Sequence, residues 1–284
     1  MSNFANLIFY MKKFGFIILC VLVFISCGKY NEVLKGNSTE DKFNLAKEFY
    51  ETSKENGKRG KMLKALRLLE QIQPSMRGKP QNEIVSYMIA NGNYIIGDYI
   101  VSGYKFERFL KSFPDTPKKE EAFYKSADSY YKASPKFSLD QTDTFKAIDK
   151  LQIYLNTFSD GEYFEEANSH LAELREKLER KDYEIAKQFH HMEFWQPAVH
   201  ALNNFVDNNP GSNYLEPAYF YKFESQKIYA EKSFKSIMRE RLDEATEYYN
   251  TYIERYPEGE YLKKANQLYA EMQLLYNELN ELEL

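Results

Sequence analysis

The stretch ATEYYNTYIERYPEGEYLKKA, residues 245–265, contains the pattern that decides the fold. Ala245, Tyr249 and Ile253 recur at four-residue spacing, which places them on one face of an amphipathic helix. Pro257 lacks a backbone N–H donor and ends that helix. A second helical pattern follows the Glu-Gly-Glu turn. The stretch therefore predicts two helices joined by a tight turn.

This pattern recurs when the chain is aligned on Pro114, Ser159, Pro210 and Pro257. A small residue lies twelve positions before each anchor, a large one eight before, an aromatic five before, and an alanine eight after. A more degenerate copy ends at Pro74. The aligned columns are Ser102, Ala147, Ala198 and Ala245; Phe106, Leu151, Leu202 and Tyr249; Phe109, Tyr154, Phe205 and Tyr252; and Ala122, Ala167, Ala218 and Ala265.

These columns predict an all-α fold, an α-solenoid of about five tetratricopeptide-like helix pairs over residues 40–284. The small residues let two helices approach closely, and the large ones fill the groove to the next pair. The anchors lie further apart than the roughly 34 residues of a standard repeat. We expect the excess in residues 133–141 and 231–238, as loops or helix extensions, and in a lengthened helix at 162–180. The 24 Tyr and 21 Phe suit a fold with much inter-helix surface.

The first 39 residues predict an export signal and a lipid anchor. Lys12 and Lys13 precede an apolar run that ends at Ser26-Cys27, and the run is too short for a membrane span of about 20 residues. We expect residues 1–26 to be a lipoprotein signal peptide, Cys27 to be lipidated, and residues 27–39 to form a polar tether. Cys20 lies inside the signal, so the mature chain has no disulfide or thiolate metal site.

The composition argues against several classes of protein. A hydrophobic fraction of 43% excludes wholesale disorder, and a net charge of −4 gives no indication of nucleic-acid binding. No nucleotide-binding, P-loop, hydrolase or zinc-protease motif occurs. His190 and His191 are consecutive, so they cannot grip one metal as an i, i+4 pair does. The sequence therefore predicts a protein that is not an enzyme and holds no metal or cofactor.

A lipobox followed by divergent tetratricopeptide-like repeats resembles the BamD family of outer-membrane assembly lipoproteins. The resemblance is most specific at Ala186-Lys187-Gln188-Phe189, Trp195 and Asn209-Pro210. The sequence departs from the family at Glu193, where Gly is expected, and at His200-Ala201, where relatives often have Asn-Arg. The resemblance implies a non-enzymatic subunit of the β-barrel assembly machine, held at the outer membrane by its lipid. The absence of an acidic cluster after Cys27 favours the periplasmic face.

The resemblance also implies partners. The C-terminal repeats would bind a periplasmic domain of a BamA-like barrel protein, the N-terminal repeats would bind unfolded barrel precursors, and other assembly lipoproteins would join them. For the C-terminal partner we expect the surface to include Trp195, which could equally cap the core of its helix pair. The candidate partner-binding residues are Lys187, His190, Trp195, His200 and Asn204.

The N-terminal repeats carry a candidate peptide-binding groove. Positions around the small residues Ala46, Ala90 and Ala127 read aromatic, polar, aromatic in each of three repeats. Such a groove suits an extended, aromatic-rich peptide, although the same aromatics could simply pack the next repeat. The candidate groove residues are Phe43, Lys47 and Tyr50; Tyr87, Asn91 and Tyr94; and Tyr124, Asp128 and Tyr131.

Two other classes of protein use similar helices. A SusD-like glycan-binding outer-membrane lipoprotein is the main alternative. Those chains are usually much longer. Clustered exposed Trp residues would favour glycan binding, and this chain has one Trp. A repeat protein associated with the Tol-Pal system is the other, but it carries an N-terminal coiled coil, for which residues 28–40 are too short. The assembly function is therefore favoured over both.

Overall fold

The computed structural model describes residues 28–282 and, in this part of the chain, consists of α-helices with one 3-10 turn, Gln73–Met76. Five helix pairs are followed by a last helix, so the predicted all-α class and its tetratricopeptide-like pairs are confirmed. From residue 39 onward the helices are α1 (Thr39–Asn56), α2 (Arg59–Ile72), α3 (Gln81–Ile95), α4 (Tyr99–Ser112), α5 (Lys119–Ala133), α6 (Thr142–Thr157), α7 (Phe164–His191), α8 (Trp195–Asn208), α9 (Leu215–Glu231), α10 (Lys235–Arg255) and α11 (Leu262–Leu282).

The chain forms two compact units. The first contains the described residues up to Ser134 together with Asp143–His170, and the second contains Pro135–Thr142 and the chain from Leu171 onward. Helix α7 supplies residues to both units. It has 28 residues, so the predicted lengthened helix is present and continues beyond residue 180.

Within the first unit, the repeat columns form the core between successive pairs. Phe106 and Phe109 of α4 are 0% and 2% exposed and pack with Ala90 of α3 and Ala122 of α5. Gly103 of α4 faces the ring of Tyr130 of α5, and a Cβ at this position would lie 2.8 Å from ring carbons. The absence of a side chain at Gly103 therefore lets α4 approach α5 closely. Large side chains from one helix thus fill the space that small residues leave on the next.

The second unit repeats this arrangement. Leu202 and Phe205 of α8 share a core cluster with Ala186 of α7 and Ala218 of α9. The small column residues Ala198, Ala245 and Ala265 are also fully buried. The columns read from the sequence are therefore contact positions between neighbouring helices.

A tyrosine and a glutamate fix two of the turns. In the first unit, Tyr154 Oη donates to Glu120 Oε1 at 3.0 Å, and the same oxygen accepts from the backbone N–H of Glu162 at 2.6 Å. In the second unit, Tyr252 Oη donates to Glu216 Oε1 at 3.0 Å. Each glutamate lies in the first turn of a helix, and its carboxylate is hydrogen-bonded to the tyrosine of the following helix. These bonds connect each repeat to the turn that ends the following helix.

The segment expected to be a polar tether differs from that expectation. Residues 28–35 are helical, and Tyr30 is 7% exposed with its ring centroid 6.1 Å from that of Phe49. Lys64 also lies over the Tyr30 ring. The packed core therefore begins before residue 40, because the ring of Tyr30 packs against the apolar face of α1. The signal segment and Cys27 lie outside the described residues.

The other expected insertions take two forms. Residues 135–141 lie in a loop that packs against α7 in the second unit, with the Arg180 guanidinium 4.3 Å from the Phe137 ring centroid. The side-chain amide of Gln141 donates to backbone carbonyls of the same loop. At residues 231–238 only a short turn separates α9 from α10, so the extra length there lies in the 21 residues of α10.

Candidate functional surfaces

The candidate groove residues of the first unit lie on α1, α3 and α5 and form a polar ladder between successive repeats. Asn91 Nδ2 donates to Tyr50 Oη at 2.5 Å, and Lys125 Nζ donates to Asn91 Oδ1 at 2.7 Å. Tyr87 Oη donates to Glu121 Oε1 at 2.5 Å. The tyrosine rings thus pack on their neighbours while their hydroxyl groups bind polar atoms of the next repeat.

Asp128 is the most enclosed member of this ladder, with 0% of its surface exposed. One carboxylate oxygen accepts from Tyr94 Oη and from Lys132 Nζ. The other lies 3.5 Å from Nδ1 of His170. Burial and the bond to Asp128 raise the pKa of Tyr94 to about 12. The pKa of Lys132 is also raised, because contact with Asp128 outweighs the opposing effect of burial. Asp128 therefore links α5 to α3 through Tyr94 and faces His170 of α7.

Ring stacking completes the ladder. Tyr124 is 5% exposed and stacks on Tyr163 with ring centroids 4.4 Å apart. Tyr131 stacks on His170 at 3.8 Å. Phe43 is half-buried against the core of the first repeats, and Lys47 is exposed. The aromatic candidates thus do pack the neighbouring repeat, and the half-buried ones keep part of their surface accessible.

In the second unit, three of the five candidate partner-binding residues form one cluster, in which His190 and Lys187 lie against Tyr221 and Trp195 lies against His190. His190 Nδ1 lies 2.9 Å from Ser225 Oγ, and its ring centroid is 5.0 Å from that of Tyr221 and 5.2 Å from that of Trp195. Lys187 Nζ lies over the Tyr221 ring at 5.2 Å. Burial lowers the pKa of His190. The side chain of Trp195 is half-buried rather than fully enclosed.

The other two candidates, His200 and Asn204, belong to a different surface. Both are exposed on α8 and line a groove with Arg241, Glu244 and Tyr248 of α10. The structure therefore divides the five candidates into two groups rather than bringing them together.

Sequence reasoning missed part of an exposed surface where two turns of the second unit meet. Lys232 joins them, since its Nζ lies 3.2 Å from Glu193 Oε2 and 5.0 Å from the Trp195 ring centroid. Phe194 and Phe234 are 54% and 83% exposed. We call Phe194, Trp195 and Phe234 the aromatic turn surface. An aromatic residue in the polar sequence between Glu231 and Lys235 was the available signal.

A family model and a curated relative both match most of the chain. Residues 43–240 match the model of the YfiO family, described as an outer membrane lipoprotein. The chain belongs to the YfiO family. It is also 26% identical over 238 residues to a chain from Aquifex aeolicus (strain VF5) that carries the name outer membrane protein assembly factor BamD. That match covers 81% of this chain and 73% of the relative.

Solved helical-repeat structures match with low overall superposition. A MamA RS-1 double mutant is 16% identical, covers 73% of this chain and 96% of its own, and has a TM-score of 0.29. A kinesin light chain with nearly identical tetratricopeptide-like repeats from Podospora anserina is 11% identical, covers 75% and 97%, and has a TM-score of 0.31. The family assignment rests on the YfiO match over residues 43–240.

Within residues 28–282, no helix combines the length and the apolar character that crossing a bilayer requires. In the same part of the chain, no three His, Cys, Asp or Glu side chains converge as metal ligands would.

Proposed function

We propose that this chain is a non-enzymatic lipoprotein subunit of the machinery that assembles β-barrel proteins in the outer membrane. It would be anchored through lipidated Cys27 at the periplasmic face, hold a BamA-like barrel protein and companion lipoproteins, and bind unfolded barrel precursors. The observation that carries this proposal is the YfiO-family match over residues 43–240, which includes helices of both units. The likeness to the Aquifex chain named as BamD supports it.

Precursor binding is proposed for the ladder surface of the first unit. A terminal strand of an unfolded barrel protein is extended, rich in aromatic residues and has unpaired backbone amides. The half-buried rings of Tyr87 and Tyr94 offer apolar contact beside Lys125 and Lys132, whose ammonium groups already donate to Glu121 and to Tyr94. The ladder contacts hold these groups in place before a peptide arrives, which reduces the entropy cost of binding.

A photo-crosslinking residue at Lys47 tests precursor binding. Lys47 is exposed, so the probe leaves the ladder intact, whereas substituting Tyr94 would disturb its bond to buried Asp128. Lys111, exposed on α4, is the matched control position. We expect crosslinks to unfolded barrel precursors from position 47 and few from position 111. Equal labelling at both positions, or labelling of folded barrels alone, would remove the support for a precursor groove.

Binding of the BamA-like protein is proposed for the aromatic turn surface. Large aromatic side chains at the centre of an interface supply much of its binding energy. The Phe234 side chain is largely exposed to water in the chain alone, and a bound partner would bury this apolar surface. Phe234→Ala should reduce recovery of the partner in co-purification without affecting the fold. Leu274→Ala, at a residue 64% exposed on α11, is the matched control. Unchanged recovery with Phe234→Ala would place the interface elsewhere.

A further inference from the structure

A basic groove lies in the first unit between the 3-10 turn, α3 and α4. Arg77, Lys105 and Arg108 line it together with Gln73, Pro74, Asn82, Ser86, Phe109 and Ser112. The groove thus has three cationic side chains and no Asp or Glu among its lining residues. We call this set the basic groove.

The acidic residues nearest in sequence are engaged elsewhere. Glu107, adjacent to Arg108, lies 3.7 Å from Lys146 Nζ and 3.4 Å from Lys150 Nζ, both on α6. Glu83, adjacent to Asn82, accepts from Thr116 Oγ1 at 2.6 Å. In the described part of the chain, none of the three groove cations has a carboxylate within ion-pair distance.

This arrangement contrasts with the ladder of the same unit. There Lys118 and Lys125 pair with Glu121, and Lys132 pairs with Asp128. The fold therefore neutralises its lysines on the ladder and leaves a concentrated positive charge at the basic groove. Such a concentration attracts an anion, and its field is strongest in a concave, partly dehydrated site.

Neutral groups at the base of the groove are already ordered. Gln73 Nε2 donates to Ser86 Oγ at 3.3 Å, and Ser86 Oγ donates to Asn82 Oδ1 at 3.4 Å. The Asn82 amide is thereby oriented with its oxygen toward Ser86. Arg77, Lys105 and Arg108 line the groove beside these polar groups, and the Arg108 guanidinium lies 5.8 Å from the Tyr104 ring centroid. Guanidinium forks bind phosphate oxygens in pairs.

We propose that the basic groove binds the phosphate of an anionic membrane lipid headgroup. Three clustered cations complement the negative charge of a headgroup phosphate, and the two guanidinium forks suit its unesterified oxygens. A lipid is favoured as the source because the chain belongs to a family of outer membrane lipoproteins. Each basic residue near an anionic membrane surface contributes about 1 kcal/mol, so three together increase binding about a hundredfold.

Native mass spectrometry of the full lipidated protein in detergent tests this proposal. The probes are phosphatidylglycerol, phosphatidylcholine, inorganic phosphate and a glutamate-rich peptide. The groove variant is Arg77→Gln/Lys105→Gln/Arg108→Gln, and Arg77→Gln/Arg108→Gln, at two exposed positions, is a second variant that should leave folding intact. The control Lys79→Gln/Lys111→Gln/Lys119→Gln removes the same charge from exposed residues outside the groove.

We expect phosphatidylglycerol to bind the native chain at least tenfold more tightly than phosphatidylcholine. The groove variants should lose at least tenfold of that binding, and the control should change it less than twofold. Displacement by millimolar inorganic phosphate would support recognition of the phosphate itself. Equal loss in groove and control variants, equal binding of both lipids, or a preference for the peptide would each overturn the proposal.

Discussion

Glu193 has an unfavourable backbone conformation and forms an ion pair at the surface. Its φ of 62° places it in the left-handed region, and it is the one such residue other than glycine in residues 28–282. This explains why the resemblance to the BamD family implies Gly at this turn between α7 and α8. The side chain instead forms the ion pair with Lys232. A left-handed residue with a Cβ costs about 1–2 kcal/mol, and an exposed ion pair returns less than that.

Glu193→Gly should therefore increase the free energy of unfolding by about 0.5–1 kcal/mol. Glu193→Ala is the matched control, because it removes the ion pair and keeps the strained φ, and it should be slightly less stable than the native chain. Urea unfolding followed by circular dichroism measures both. A glycine variant less stable than the native chain would mean that the Lys232 contact outweighs the strain.

Glu121 gives the ladder a dependence on pH. Burial raises the pKa of this carboxyl group, but hydrogen bonds from Lys125 and Tyr87 outweigh burial and hold the pKa at about 2. In the unfolded chain the group titrates near 4.5. Between these values the unfolded state binds more protons, so the contribution to stability is present above pH 4.5 and is lost as the pH falls toward 2.

Glu121→Gln should consequently flatten the decrease in unfolding free energy between about pH 4.5 and 2. Asp115→Asn, at an exposed residue, controls for the loss of one negative charge. Urea titrations at several pH values in this window supply the measurement. If the native chain and the Gln variant lose stability in parallel, the proposed ladder contacts do not stabilise the ionised carboxylate.

At the scale of helices and turns, the sequence predicted what depends on local spacing. Columns of small and large residues identified the buried positions Ala147, Ala198 and Phe106 because helical periodicity fixes which face meets the next helix. The contact of Tyr30 with Phe49 and the packing of Phe137 on Arg180 were not predictable in the same way. Both join segments far apart in sequence and depend on where the folded helices leave apolar surface.

The turn after Pro257 offers a test at this scale. A Cβ added at Gly259 would collide with Glu216 Oε1 and lie 2.7 Å from Tyr252 Oη, two groups that are hydrogen-bonded to each other. Gly259→Ala should destabilise the chain by about 1–3 kcal/mol. Gly211→Ala, in the turn after Pro210, meets no atom within 4 Å and should be near neutral. Thermal melts that show equal effects would argue against a turn fixed by the Tyr252–Glu216 bond.

At the scale of the whole molecule, the repeats and the family could be recognised from the sequence, but the candidate surfaces could be predicted only in part. Residues such as Tyr94 and Asp128 were placed on one surface because they share a helical register. Their mutual bonding was not predictable, since it requires the relative position of neighbouring repeats. His200 and Trp195 are close in sequence and occur on different surfaces because helix rotation separates them.

The most direct test of the assembly function is affinity purification of the lipidated chain from a detergent-solubilised cell envelope, with mass spectrometry of what is recovered. The proposal predicts a BamA-like barrel protein as a major partner, with lower recovery from Phe234→Ala and unchanged recovery from Leu274→Ala. Recovery of a TonB-dependent glycan transporter, with no BamA-like protein, would contradict the assembly function and favour the SusD-like alternative.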